Sequence, residues 1–131
     1  MTTTARKIHQ YVPNVIGLTV NWNTAGIVTG VEFPNRIPAG AIIDNVTVIN
    51  DVAFNGTTSV VLNVGYTLTG NELVSALDVR TARSRSDTAV AIASNPYRSA
   101  DTQLFASLVF GGTVGTAGTA YIIVEYFTSV G

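Results

Sequence analysis

Residues 59–67 read SVVLNVGYT. Val60, Leu62, Val64 and Tyr66 fall on one parity, and Ser59, Asn63, Gly65 and Thr67 on the other. An extended chain sends successive side chains to opposite faces, so this segment predicts a strand with one face in a core. The pattern returns in QLFASLVF, residues 103–110, where Leu104, Ala106, Leu108 and Phe110 share a side. A third segment, AYIIVEYF at residues 120–127, is apolar on both sides except at Glu125. That predicts a central strand, or one whose outer face meets a partner.

Working outward, turn residues punctuate a chain rich in Val, Ile, Thr, Tyr and Phe. Strands are predicted near 14–22, 26–33, 41–50, 58–67, 88–94, 103–111 and 119–128. Pro38 cannot donate to a ladder and Gly40 permits a turn, so PAG launches the strand that follows. Asn55-Gly56 reads as a tight turn, predicting a hairpin from 41–50 into 58–67. The glycines of VFGGTVGTAGTAY predict a flexible hairpin loop between the last two strands. One segment has another period: Leu73, Ala76 and Leu77, with Asn71 before them as a cap, predict a short helix or turn near 71–77. Short strands with long loops favour an all-β, two-sheet sandwich of jelly-roll or related Greek-key type, with a closed barrel second.

The chain has 131 residues, which suits one domain. Residues 1–12 read as a polar, flexible arm and residues 13–131 as a single β-sandwich domain. Charged residues make up 11% of the chain, against about 25% in a typical protein. A polar but nearly neutral surface suits lasting contact with another protein, because few charges must be desolvated. The net charge of −1 gives no excess to neutralise phosphates, which argues against nucleic acid as partner. No apolar run approaches the ~18 residues of a membrane helix, and MTTTARKIHQYVPN lacks the apolar stretch of a signal peptide. A soluble protein made in the cytoplasm is expected.

Parts for an enzyme are scarce, and none is expected. There is no Cys, and the one His, His9, lies in the arm. No spacing singles out a carboxylate pair, and Trp22 is the only Trp. Asp44 and Asp51 could offer oxygen ligands, but their spacing is not that of a calcium loop and turn-capping is the better reading. No catalytic, cofactor or metal site is therefore predicted. Arg80, Arg83 and Arg85 cluster in a chain that otherwise avoids charge. They read either as a solvated loop or as forks that grip carboxylates on a partner, and Arg83 and Arg85 would share a face if extended. Protein-contact candidates are Arg6, Lys7, Arg80, Arg83, Arg85, Tyr121 and Tyr126.

The segment FPNRIPAGAIIDNVTVINDVAFNGTTSVVLNVGYT resembles a pattern of small tailed-phage virion proteins. Its elements are the turn at residues 37–41, Ala53 to Gly56, and Val64-Gly65, with LVSALDV after them like a short crossing segment. The resemblance covers residues 33–79 and implies a capsid cement or decoration protein of β-sandwich type. It implies a place on the outside of a phage head, with the major capsid protein as partner, and brings no catalytic residues or cofactor. A homo-oligomer, dimer or trimer, is expected on the shell. Alternatives are another virion component, at the head–tail junction or on a fibre, or a carbohydrate-binding sandwich that stacks sugars on Trp22, Tyr97 and Tyr121.

Overall fold

The computed structural model describes residues 10–130 of the chain. Its strands are β1 (Gln10–Asn21), β2 (Val31–Glu32), β3 (Ile42–Val52), β4 (Ser59–Gly65), β5 (Val74–Asp78), β6 (Ser84–Ala89), β7 (Phe105–Gly111) and β8 (Thr119–Val130). Among the described residues one 3-10 turn, Ile92–Ser94, lies between β6 and β7. Strand β1 begins at Gln10, inside the segment assigned above to the arm; residues 1–9, with Arg6, Lys7 and His9, lie outside the described residues.

All pairings are antiparallel, and they follow one rule. β1 pairs with β8, β2 with β7, β3 with β6 and β4 with β5, like rungs of a long ribbon closed at the β4–β5 end. The ribbon then wraps so that β8 meets β3 and β7 meets β4. The result is two four-stranded sheets, ordered β1-β8-β3-β6 and β2-β7-β4-β5. This wrapped ribbon is the jelly roll, the first of the two sandwich types expected.

The core lies between the sheets. Val60, Leu62 and Val64 of β4 face Ile122 and Val124 of β8 and Val46 and Val48 of β3, all essentially without solvent contact. The parity read from β4 and β7 is the parity observed. β8 is central, flanked by β1 and β3, which accounts for its apolar inner side.

Two expected hairpins are crossovers. β3 and β4 lie in different sheets, and so do β7 and β8. Segment 53–58 carries the chain over the end of the sandwich, with Phe54 sealed at 1% exposure beneath it. Asn55 does not direct a tight turn: its Oδ1 accepts from the backbone N–H groups of Thr116 and Ala117, at 2.7 and 2.9 Å. The two crossovers are thus tied to each other rather than each folding back on itself.

The short helix or turn expected near 71–77 is, from Val74 to Asp78, strand β5. Leu62 pairs with Leu77 and Val64 with Val74, so between these rungs one residue of β4, Asn63, faces two of β5, Ser75 and Ala76. The extra residue forms a bulge, where Ala76 takes φ 51° and its N–H donates to Asn63 Oδ1 at 2.7 Å. The bulge sets the inward pair Val74 and Leu77 three residues apart, a helical spacing, while Leu73 is buried just before the strand and Ala76 is exposed. Strand β6 spans Ser84–Ala89 rather than 88–94, and of 26–33 only Val31–Glu32 is strand. Asp44 and Asp51 sit at the two register shifts of β3.

Asn50 pins the β5–β6 crossover. It is 2% exposed, and its Nδ2 donates to the carbonyls of Val79 and Thr81, each at 2.6 Å. Each carbonyl has a second donor, Phe54 N–H and Ser84 Oγ respectively. Asn50→Ala therefore removes two hydrogen bonds without orphaning an acceptor, and also removes the unpartnered Asn50 Oδ1. The expected loss is about 1–3 kcal/mol, read as a lower urea midpoint. An unchanged midpoint would show that the crossover holds without this side chain.

Candidate contact surface

Among the described residues no group of three or more His, Cys, Asp or Glu converges. An open crevice of about 210 Å³ lies where the edges of the two sheets meet, lined by Val48, Asn50, Leu77, Asp78, Ser84 and Arg85 among others. Its one carboxylate and one cation are already engaged. Arg80 Nε lies 3.4 Å from Asp78 Oδ1, and Arg85 Nε lies 3.0 Å from Asp87 Oδ2. The Arg80 backbone N–H, with its guanidinium, holds Asp78 below the usual carboxylate range. The Arg85 guanidinium, helped by Thr47 Oγ1, does the same for Asp87.

The basic cluster is therefore divided. Arg80 Nη1 donates to Thr58 O at 2.6 Å and serves the fold as well as Asp78. Arg85 stands on the outer face of β6. Arg83 is in the turn before β6 with φ 54°, so it does not continue the line of Arg85. Its guanidinium is exposed and makes no ion pair with a described residue.

The outer face of the β1-β8-β3-β6 sheet follows from the register. One row across it is Thr19, Tyr121, Ile49 and Arg85; the next is Gly17, Ile123, Thr47 and Asp87. The third is Val15, Glu125, Asn45 and Ala89, and the last is Pro13, Phe127 and Ile42. Val15 is 62% exposed and Tyr121 40%, while Ile42, Ile49, Ile123 and Phe127 are half-buried. The face is a largely apolar sheet surface with an internally paired Arg85–Asp87 at one edge. Glu125 stands in it with no hydrogen bond or ion pair to a described residue.

Of the two aromatic candidates, Tyr121 belongs to this face. Tyr126 shares its rung with buried Ile43 and packs inward against the core. Sequence reading passed over Val15, Ile42, Ile49, Ile123, Phe127 and Glu125 as a set. The signal in β8 was there, since residues 121, 123, 125 and 127 alternate with the buried ones.

The aromatics of the sugar-stacking alternative are not brought together. Trp22 packs on the core, Tyr97 bridges to Ile42, and Tyr121 pairs with Ile49 toward the other end of β3. Between the rungs of Ile42 and Ile49 lie roughly 20 Å of strand. A different aromatic, Tyr66, is structural: Arg98 lies 3.9 Å over its ring, and its hydroxyl donates to Ser94 O at 2.9 Å. Burial pushes this phenol up, partly offset by Arg98.

The same wrapped ribbon occurs in solved structures. A chain from the capsid asymmetric unit of cyanophage Pam1 matches with a TM-score of 0.65, over 98% of this chain and 92% of that one, at 19% identity. The fold is one found in phage capsids. A chain from the capsid of Ralstonia phage GP4 matches with a TM-score of 0.66, over 100% and 93% of the two chains, at 17% identity. A chain from the acid-stable capsid of Helicobacter pylori bacteriophage KHP30 matches with a TM-score of 0.60, over 94% and 97%, at 13% identity. No family model and no curated protein sequence matches the chain.

Proposed function

We propose that the chain is a non-enzymatic virion structural protein: a capsid cement or decoration protein on the outside of a phage head, bridging subunits of the major capsid protein. The observation that carries this reading is the end-to-end match to three phage capsid chains, which leaves little of any of the four unmatched. The charge-poor surface and the apolar sheet face support it, because both suit a protein that works by contact. The mechanism is mass action: a protein that binds only the assembled shell stabilises that shell. Copies associate there as dimers or trimers, Arg6 and Lys7 extend the contact to a neighbour, and Arg83 offers a free cation to shell carboxylates. Synthesis is in the host cytoplasm.

Co-sedimentation tests the reading. The purified protein, mixed with empty heads of its own phage that lack it, is expected to pellet with them at saturating stoichiometry and to raise their melting temperature. Heads that neither bind it nor gain stability would refute the role. Binding at a tail or fibre instead would select the alternative virion component.

A further inference from the structure

Resting on that reading, we infer that the outer face of the β1-β8-β3-β6 sheet is the surface that seats on the shell, and that its counterpart is an apolar patch carrying one Arg or Lys that meets Glu125. The argument is charge complementarity within an otherwise dry face. Val15, Ile42, Ile123 and Phe127 neighbour a carboxylate with no described partner, and Asn45 beside it on β3 donates to Thr47 Oγ1 instead. The other two charges of the face, Arg85 and Asp87, neutralise each other at 3.0 Å. An apolar partner without a cation would strand Glu125 in a desolvated contact, which is costly. A partner with a cation replaces the lost hydration by a charge-assisted hydrogen bond.

The same carboxylate disfavours a second copy as occupant. A two-fold contact presents the same patch on both sides, so it would draw two Glu125 carboxylates into one dry interface. Copies that associate on the shell therefore do so through other surfaces. Size fits a many-copy binder as well. Four strands at ~4.8 Å and four outward positions at ~6.8 Å give roughly 500 Å². A standard interface uses about 800 Å² per partner, so one face is modest alone and gains from repetition on a lattice.

Binding of the full chain to empty heads that lack it is measured for the wild type, Glu125→Lys, Glu125→Gln and, on the opposite sheet, Val109→Asp. Val109 is 51% exposed on β7, so it reports on the other face. Glu125→Lys is expected to weaken binding at least ~100-fold and Glu125→Gln about 10-fold, the range of a hydrogen bond to a charged group. Val109→Asp should leave binding unchanged, and all variants should melt within a few degrees of the wild type. Glu125→Gln is isosteric and decides the matter if the reversal misfolds. Heads that bind wild type and Glu125→Lys equally would overturn this assignment while leaving the cement role intact. Failure of the wild type to bind would remove both. Dimerisation of Glu125→Gln in solution, with shell binding unchanged, would give the face to a second copy and overturn the proposal.

Discussion

Phe54→Ala is expected to lower the unfolding free energy by about 3–5 kcal/mol, on the scale of other buried Phe truncations. Phe54 is not on a strand, yet it is 1% exposed and among the largest fully buried side chains. It lies under the β3–β4 crossover, with its N–H donating to Val79 O at 3.1 Å. Gly118, just before β8, presses its main chain onto the Phe54 ring so closely that a Cβ there would overlap it. Neighbouring backbone held by ladders and crossovers cannot slump into the space that Ala would leave, so the cavity term is near its full value. Thermal denaturation should show a fall on the order of 10–20 °C for a domain of this size. Phe54→Leu keeps most of the volume and should cost less than about 1.5 kcal/mol. If both substitutions cost under about 1 kcal/mol, the crossover end is not part of the cooperative core.

The uneven legibility of the fold in the sequence has the same origin. Period 2 is a local property, so β4, β7 and β8 could be read with their inward residues identified one by one. Which strands pair is not local. Asn55-Gly56 has the composition of a tight turn, but its geometry is set by a crossover tied to Thr116 and Ala117, far along the chain. The glycine-rich segment before β8 was misread for the same reason. The β5 error was of another kind: a bulge at Ala76 set Val74 and Leu77 three residues apart, and with Leu73 buried just before the strand the segment took on helical spacing. In β3 the bulges carry Asp44 and Asp51, whose carboxylates had looked like turn caps.

The contact surface was half legible. Tyr121 could be named because β8 is apolar on both parities. Its neighbours Val15, Ile42 and Ile49 come from strands far apart in sequence, and only register sets them beside it. Arg80, Arg83 and Arg85 looked like one basic cluster because they are close in sequence. Asp78 and Asp87 engage two of them, and a left-handed turn sets the third apart. Glu125 illustrates the converse. In sequence it merely interrupts an apolar run; on the sheet it is the charge that restricts what can cover the face.

Gly30→Ala is expected to cost about 3–5 kcal/mol, from a strained backbone and an overlap that no rotamer change can relieve. Gly30 has φ +131°, and a Cβ there would overlap the Leu68 carbonyl oxygen and lie 2.8 and 2.9 Å from that residue's C and Cα. Leu68 belongs to the β4–β5 turn, at the closed end of the ribbon, while Gly30 leads directly into β2. The two segments can touch only where one of them has no side chain. Gly40→Ala supplies the control: its φ is +87°, but a Cβ there would meet nothing within 4 Å. That substitution should cost only the left-handed backbone term, about 1–2 kcal/mol. The difference between the two variants in urea unfolding measures the overlap together with the added backbone strain of +131° over +87°. Equal losses would mean that the β4–β5 turn moves aside freely. In that case the turn would be decoration on the sandwich rather than part of what sets the position of β2.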